Sequence, residues 1–390
     1  MHEDPRLPQR CLLGPDVTRR IASGIRAAGL EGPVLIAAGS DTVGRLAPVW
    51  ADAFAAAGWT HRVLAVGVAA LDRETAAIAA ESRVLAAGVI VAAGGGRTLA
   101  AGRAAAAAVG VAFVSCPTIC STGAAAQGLG AIEAAAGGML EEPIRTSTAA
   151  VAGHLPPPEL VLIDTRVIAE SPPRFLAAGI GAAVAGFHEA RAAAAGRGER
   201  MTAATSNRMA ACRDVMLAHG ADALAACSNR TVSDSLERVV EAALLLAGLG
   251  SRPAGRAAAH AFHDAITCLA PTHRLLHGET LAFGTLVQLA LEATHGPDAA
   301  CRAAIRTEAE RIADLFVAIG LPVTLDELGV AAADTATMRD LAVRAAAPDT
   351  TIHQMPFVVD APAVMEAIRA ADSLGRSLQR LRSALRPAPA

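Results

Sequence analysis

Three histidines that lie close together in the sequence are the strongest candidates for chemistry. His260 and His263 are three positions apart in an apolar segment, and His277 stands immediately before Gly278 and Glu279. A separation of three places both rings on one face of a helix. Neutral imidazoles bind divalent metals such as Zn, Fe or Ni, and they also carry protons near neutral pH. Because a catalytic metal normally needs three protein ligands, structural histidines that make ordinary hydrogen bonds are the alternative.

A glycine triplet forms the second candidate site. The apolar run Val89–Ala93 is typical of a buried strand, and it ends at Gly94, Gly95 and Gly96 before a helix-like segment, Thr98–Val109. Glycines let the backbone approach a ligand closely, and a new helix presents unpaired N–H groups. Strand, turn and helix together predict a site for the pyrophosphate of a dinucleotide, with a simple tight turn as the alternative.

The bulk composition excludes several classes of function. Of the 390 residues, 53% are hydrophobic and 18% are charged, and the formal net charge is −3. These values favour neither a nucleic-acid partner nor an anionic membrane surface. Seven scattered cysteines and a charged N-terminus with no apolar segment behind it predict a reduced, cytoplasmic protein. Tyr is absent and all basic side chains are Arg, so proton transfer must use His, Asp, Glu, Cys, Ser or water.

Alternating patterns predict an α/β domain over residues 1–155. Short links between strands and helices are typical of a parallel sheet that is covered on both faces and binds ligands at the carboxyl ends of its strands. A helix over 14–29 comes first. The predicted strands that follow are Pro33–Ser40, His61–Val66, the run from Val89 and Val111–Ser115, and the predicted helices are Val43–Ala57, Thr75–Ala87 and Thr98–Val109.

The composition changes between Ala136 and Pro158 to Gly, Glu, Thr and a run of three prolines, which marks a predicted domain boundary. Residues 156–390 are therefore predicted to form a second domain. Leu160–Asp164 predicts one further strand, which could return to the first sheet. Helical patterns dominate after it, and the second domain is therefore predicted to be mainly α. Its predicted helices are Arg174–Ala195, Arg208–Ala226, Ser233–Leu249, Arg256–Leu269, Gly278–Glu292, Ala300–Ile319, Ala336–Ala346 and Ala361–Leu381.

A series of short motifs runs through the chain in a fixed order. They are Ala93–Leu99, Pro117–Thr122, Leu160–Ala169, Arg174–Leu176, Gly179–Gly181, Glu189–Arg191, Leu236–Ala242, Ala257–His263, His277–Glu279, Ala282–Gln288 and Thr351–Pro356. The order of these motifs and the residues in them resemble those of glycerol dehydrogenases, within the iron-containing (group III) alcohol dehydrogenase family. The resemblance implies the dehydroquinate synthase-like fold of that family, with an α/β dinucleotide-binding domain, an all-α C-terminal domain and an active site in the cleft between them. It also implies a homo-oligomer.

The resemblance assigns roles to both candidate sites. It places the pyrophosphate of NAD or NADP on Gly94, Gly95 and Gly96, and the nicotinamide end against Thr118, Ser121 and Thr122. In the family, one Asp and two His hold a divalent metal such as Zn or Fe, and the two His correspond to His260 and His277. The metal acts there as a Lewis acid that stabilises an alkoxide while hydride passes to or from the nicotinamide.

Four acidic positions of the family pattern are not acidic here. Ala182 follows Gly179-Ile180-Gly181 where the family has the metal-binding Asp, and Ala100, Gly123 and Ala38 replace three others. Too few donors are left for tight metal binding. We therefore expect a divalent metal to be absent or weakly bound, and Gly123 argues against glycerol itself as the substrate.

The loss of the acid at position 38 also affects the choice of cofactor. That acid normally binds the adenosine ribose, and its charge would repel a 2′-phosphate. Small residues with Ser40 could then accept NADP, and Arg45 and Arg62 are its candidate partners.

Other side chains could in principle replace the missing ligand. Glu189 lies about 10 Å along a helix from position 182, which is too far, and Asp264 beside His263 is the better candidate. His188, which replaces an aromatic residue of the family pattern, could face the cleft, but we expect a surface position. Cys116 and Cys120 lack a usual zinc spacing, and we interpret them as packing residues.

Two functional hypotheses follow. The first is an NAD(P)-dependent oxidoreductase that acts on a small alcohol, polyol or hydroxy acid and its carbonyl partner. With no metal, one histidine of His260, His263 and His277 would serve as the proton donor. The second is a non-catalytic or repurposed homologue that binds a nucleotide without hydride transfer, which the missing acids favour.

Overall fold

The computed structural model describes residues 10–67, 71–122, 155–247, 255–331 and 334–385. The chain divides into two units, of which the first comprises Met1–Pro173 with Ala225–Leu249 and the second Arg174–Leu224 with Gly250–Ala390. The sequence predicts a boundary between 155 and 156, whereas the first unit continues to Pro173 and takes in a later segment. Within the described ranges, no helix has both the length and the hydropathy needed to cross a bilayer.

A six-stranded parallel sheet forms the centre of the first unit. Its strands are β1 (Arg10–Gly14), β2 (Val34–Gly39), β3 (His61–Val66), β4 (Val89–Gly94), β5 (Ala112–Pro117) and β6 (Leu160–Asp164). Their order is β1-β6-β5-β4-β2-β3, and every neighbouring pair is parallel. The predicted strands are confirmed, including the return of β6 to this sheet. β1 was not predicted, because it is a short edge strand whose first half is exposed.

The helices, in chain order, are α1 (Ile21–Ala27), α2 (Ser40–Ala57), α3 (Leu71–Leu85), α4 (Gly96–Val109), α5 (Thr165–Ala169), α6 (Pro173–Gly196), α7 (Ala203–Ser228), α8 (Asp234–Glu241), α9 (Ala258–Ile266), α10 (His277–His295), α11 (Ala299–Ala318), α12 (Thr335–Ala345) and α13 (Ala361–Leu385). The helical character predicted for the second half is confirmed. The helix predicted over 14–29 is shorter, because a 3-10 turn at Val17–Arg20 precedes α1.

Large apolar side chains anchor the helices of the first unit to its sheet. Trp50 and Phe54 of α2 are fully buried in one cluster with Ile36 of β2, Val91 of β4 and Val114 of β5. Burying a Phe side chain in this way contributes about 1.5–3 kcal/mol relative to exposure. Because β2 and β4 are covered on both faces, they appear in the sequence as unbroken apolar runs.

Glycines bring three helices of the second unit into close contact. A Cβ on Gly181 of α6 would lie 2.6 Å from the carbonyl oxygen of Gly278 at the start of α10. A Cβ on Gly284 would lie equally close, at 2.6 Å, to the carbonyl oxygen of Ala259 in α9. Only glycine permits such contact between backbones. The crossings place the start of α10 beside α6 and α9, which carry the other candidate site residues.

Candidate functional site

The three candidate histidines lie side by side in the second unit. The ring centroids of His260 and His277 are 5.4 Å apart, those of His263 and His277 are 4.4 Å apart, and those of His260 and His263 are 6.2 Å apart. His260 and His263 share one face of α9, and His277 is the first residue of α10. The packing of α9 on α10 therefore brings together rings that come from separate segments of the sequence.

The side chain of Glu189 on α6 binds His260 directly. Its Oε2 lies 2.5 Å from His260 Nδ1, and its Oε1 accepts hydrogen bonds from the backbone N–H groups of Ala257 at 2.9 Å and His260 at 2.8 Å. Burial by itself raises the pKa of Glu189, but the charge of His260 and these hydrogen bonds outweigh it, and the pKa lies below its usual value. The fully buried carboxyl group is therefore ionised at neutral pH.

A second chain of hydrogen bonds holds His277. Its Nδ1 lies 3.0 Å from His263 Nε2, and His263 Nδ1 lies 2.6 Å from the hydroxyl oxygen of Thr280. That hydroxyl donates to the backbone carbonyl of His277 at 2.9 Å. Burial, followed by the neighbouring charges of His260 and Arg256, lowers the pKa of His263 to about 3. Burial and the other two histidines likewise lower the pKa of His277, so both rings are neutral near pH 7.

Position 182, where the resemblance places a third metal ligand, offers no donor atom. Position 182 is occupied by Ala, which packs against Ala185, Ala259 and Leu281. Among the described residues there is no group of three or more His, Cys, Asp or Glu that could hold a metal ion. Asp264, our better candidate for a replacement ligand, is exposed while its neighbour His263 is buried, so the two side chains point in different directions. Of the three imidazoles, His263 has both ring nitrogens engaged, by Thr280 and by His277. The other two alone are too few for a catalytic metal.

Several other expectations can be compared with the structure. His188 is 2% exposed, so the predicted surface position is wrong. Its ring is buried and packs edge-on against the ring of Phe187 on the same helix, α6. Cys116 and Cys120 are both buried, as packing residues should be, and burial raises the pKa of the Cys116 thiol to about 12. The Cys116 thiol is therefore not a thiolate at neutral pH.

The first unit presents a feature typical of dinucleotide sites. From β2 the chain passes to β3 on one side, and from β4 it passes to β5 on the other, so the winding direction reverses between β2 and β4. Ligands of open parallel sheets bind at such a reversal, outside the carboxyl ends of the strands. Ala38 lies opposite Ala93 in the register, and Gly39 and Gly94 follow them at this edge.

Two helices begin at the same edge of the sheet. α2 starts at Ser40 after Gly39, and α4 starts at Gly96 after Gly95, and neither first turn has a side-chain cap. Their N–H groups remain available to an anion. This arrangement fits the diphosphate of a dinucleotide.

The remaining residues predicted to bind the cofactor lie around this edge. Thr118 follows β5, and its backbone N–H donates to the carbonyl of Gly94 at 3.1 Å. Ser121 and Thr122 are half-buried beyond it. A Cβ on Gly94 would lie 2.7 Å from Thr98 Cβ, so a larger residue at the turn would collide with α4. Gly123 lies outside the described residues.

The two arginines considered for a 2′-phosphate both have carboxylate partners. Arg45 pairs with Glu170 at 2.7 Å, and Arg62 pairs with Glu81. Ser40 is exposed at the start of α2. Ala38 is fully buried in the core of the sheet.

Comparison with known proteins agrees with this architecture, although no family model matches the chain. A glycerol dehydrogenase from Pseudomonas putida is 38% identical over 292 residues, which cover 74% of this chain and 75% of the relative. A glycolaldehyde reductase from Halobacterium salinarum is 35% identical over 298 residues, covering 75% and 76%. The crystal structure of a probable glycerol dehydrogenase from Sinorhizobium meliloti 1021 superposes with a TM-score of 0.77 at 28% identity, covering 95% of this chain and 98% of that one.

The first two relatives share at least 35% of their residues with this chain over about three quarters of its length, and the superposed structure covers 95% of it. The chain belongs to the glycerol dehydrogenase family, within the iron-containing (group III) alcohol dehydrogenases.

Proposed function

We propose that the protein is an NAD(P)-dependent oxidoreductase that interconverts a small alcohol, polyol or hydroxy acid and the corresponding carbonyl compound. The observation that carries this proposal is the pair formed by His260 and His277, whose rings lie 5.4 Å apart with their Nδ1 atoms bound by the protein. Membership of the family supports it. The relatives named above are enzymes, and this gives no support to a non-catalytic role.

Bound NAD(P) supplies the chemistry of hydride transfer at its nicotinamide ring. The chain must then move one proton. In alcohol oxidation the hydroxyl proton passes to the Nε2 atom of His260 or His277 as the C–H bond gives up its hydride, and in reduction the same nitrogen returns a proton to the oxygen. Because the chain contains neither Lys nor Tyr, these imidazoles are its best placed proton carriers.

We further propose that this chemistry proceeds with a divalent metal absent or weakly held. The alanine at position 182 and the apolar cluster around it support this view. For the cofactor, the uncapped starts of α2 and α4 support binding of a diphosphate, and both NAD and NADP are candidates. The family membership also supports a homo-oligomer, which light scattering coupled to size-exclusion chromatography would measure.

The first experiment is cofactor binding, measured as a thermal shift with NAD⁺, NADH, NADP⁺ and NADPH. A cofactor at a hundred times its dissociation constant should stabilise the protein by about 2.7 kcal/mol. A panel of small alcohols and carbonyls, including glycerol and glycolaldehyde, is then assayed by absorbance of the reduced cofactor. Binding with turnover of at least one compound supports the proposal. Absence of any shift with all four cofactors contradicts it.

The metal proposal has a separate measurement. The wild-type protein is dialysed against Zn²⁺ or Fe²⁺ and then against buffer, and its metal content is compared with that of a His260→Ala, His277→Ala double variant. Little metal in either protein supports the proposal. About one metal per chain in the wild type alone overturns it.

A further inference from the structure

The hydrogen bonds behind the paired imidazoles determine where each ring carries its proton. A neutral imidazole has one N–H and one bare nitrogen, and the partner of the first nitrogen decides the state of the second. Every partner of the three rings identified above is a residue of α6, α9 or α10. The protons can therefore be followed through the network one by one.

Glu189 settles the state of His260. Three N–H groups converge on its two oxygens, namely the backbone N–H groups of Ala257 and His260 and the Nδ1 side of the ring. A carboxylate only accepts hydrogen bonds, so His260 must donate from Nδ1. When the ring of His260 is neutral, its Nε2 atom is therefore the bare one. The charge that lowers the pKa of Glu189 belongs to the same ring after it has taken up a proton at Nε2.

Thr280 settles the state of His277 through His263. The single hydroxyl proton of Thr280 is donated to the carbonyl of His277, so its oxygen accepts from His263 Nδ1–H. The Nε2 atom of neutral His263 is therefore bare and accepts from His277 Nδ1–H at 3.0 Å. The Nε2 atom of His277 is bare as a result. Two unrelated networks thus impose the same tautomer on both rings.

We infer that Glu189 and the pair formed by His263 and Thr280 are positioning residues, which hold His260 and His277 in the Nδ1–H tautomer so that two unprotonated Nε2 atoms face the substrate oxygen. This inference rests on the proposed function for the identity of that oxygen. The tautomer of His260 follows from its contact with a carboxylate, and that of His277 follows from the Thr280 hydroxyl acting as the donor to the carbonyl of His277. Neither Glu189 nor Thr280 needs to touch the substrate for this role.

A Glu189→Gln substitution tests the first network. The amide oxygen can still accept the two backbone N–H groups, which leaves the amide N–H₂ facing His260 Nδ1 and forces the ring proton onto Nε2. The equivalent carboxylate-to-amide change in the serine-protease triad lowers kcat about 10⁴-fold by imposing the wrong tautomer. We expect kcat for alcohol oxidation to fall about 100-fold or more, with KM changed by less than about threefold.

Tautomers are read directly from ¹⁵N chemical shifts of histidine-labelled protein, with assignments from single His→Gln variants. In the wild type we expect Nδ1–H signals for both His260 and His277, and in Glu189→Gln an Nε2–H signal for His260 alone. An Nε2–H signal for either ring in the wild type overturns the inference. So does a Glu189→Gln protein that keeps the wild-type tautomer or the wild-type kcat.

The second network is tested by Thr280→Val, which removes the acceptor for His263 and should shift the proton of His277 to Nε2. Thr280→Ser retains the hydroxyl and is expected to restore the wild-type signal and most of kcat. Thr285→Val is a matched control on the same helix, because Thr285 is equally buried and its hydroxyl donates to the carbonyl of Leu281 within its own helix. Equal effects of the two valine variants would overturn the inference.

The tautomer measurement needs no turnover. If the protein binds no nicotinamide cofactor but shows the expected tautomers and their exchange in Glu189→Gln, the proposed function fails and the hydrogen-bond assignment stands. If the cofactor binds and hydride is transferred while the tautomers differ from those expected, the positioning inference alone fails.

Discussion

His188 offers a sharp test of the packing in the second unit. Its ring is buried on α6, and neither nitrogen has a hydrogen-bond partner within the described part of the chain. The carboxylate of Glu308 lies 4.0 Å from Nε2. Its Oε1 atom pairs with Arg213 at 3.6 Å but accepts no hydrogen bond within the described residues. Burial, followed by the charges of Arg191 and Arg213, lowers the pKa of His188 well below its usual value. The native ring is therefore neutral, and the hydrogen-bonding capacity of its two nitrogens is not satisfied.

The consequence for stability can be worked out at two pH values. A buried polar group without partners costs about 1–3 kcal/mol, so His188→Leu should raise the free energy of unfolding by about 1–2 kcal/mol at pH 7. Because the unfolded chain binds a proton near pH 6.5 and the native ring does not, stability is lost as the pH falls. Between pH 7 and 5.5 this single group lowers the free energy of unfolding by about 1.2 kcal/mol.

Urea unfolding of wild type and His188→Leu at both pH values measures these effects. All other titrating groups are common to the two proteins, so they cancel when the pH dependence of one is subtracted from that of the other. His273→Leu serves as the control, because His273 is exposed. A His188→Leu protein that is less stable at pH 7, or that keeps the wild-type pH dependence, would refute the reasoning and indicate a partner such as a bound water.

Three further substitutions have defined outcomes. Asp164→Ala should lower the free energy of unfolding by about 2–4 kcal/mol, because the buried carboxylate accepts hydrogen bonds from four backbone N–H groups; a urea midpoint equal to that of the wild type would contradict this. Gly278→Ala should abolish cooperative thermal unfolding, because the new Cβ would lie 1.8 Å from the carbonyl oxygen of Ala178, whereas Gly44→Ala, which meets nothing within 4 Å, should be tolerated. Ala182→Asp should bring bound Zn²⁺ to about one per chain by elemental analysis, because the carboxylate would add a third ligand to the two imidazoles. The Ala182→Asn variant should bind much less Zn²⁺. Equal metal content in the two variants would show that position 182 does not face the histidines.

Local sequence patterns predicted most of the strands and helices. Short apolar runs predicted strands β2 to β6, and helical periodicity predicted the helical second half. Both signals depend only on residues that are close in sequence. Strand β1 was not predicted, because an exposed edge strand of five residues has no such pattern. The boundary between the units also depends on more than pattern, since a segment as distant as Ala225–Leu249 joins the first unit.

The candidate site divides in the same way. The sequence by itself determined the i, i+3 pair of His260 and His263, the glycine turn at Gly94 and the alanine at 182, all of which are properties of residue type and spacing. Only the tertiary structure decided that Glu189 binds His260 across 71 positions of sequence, and that β2 lies beside β4 at the winding reversal. These contacts arise from the packing of elements that are far apart along the chain, and no local pattern specifies which faces will meet.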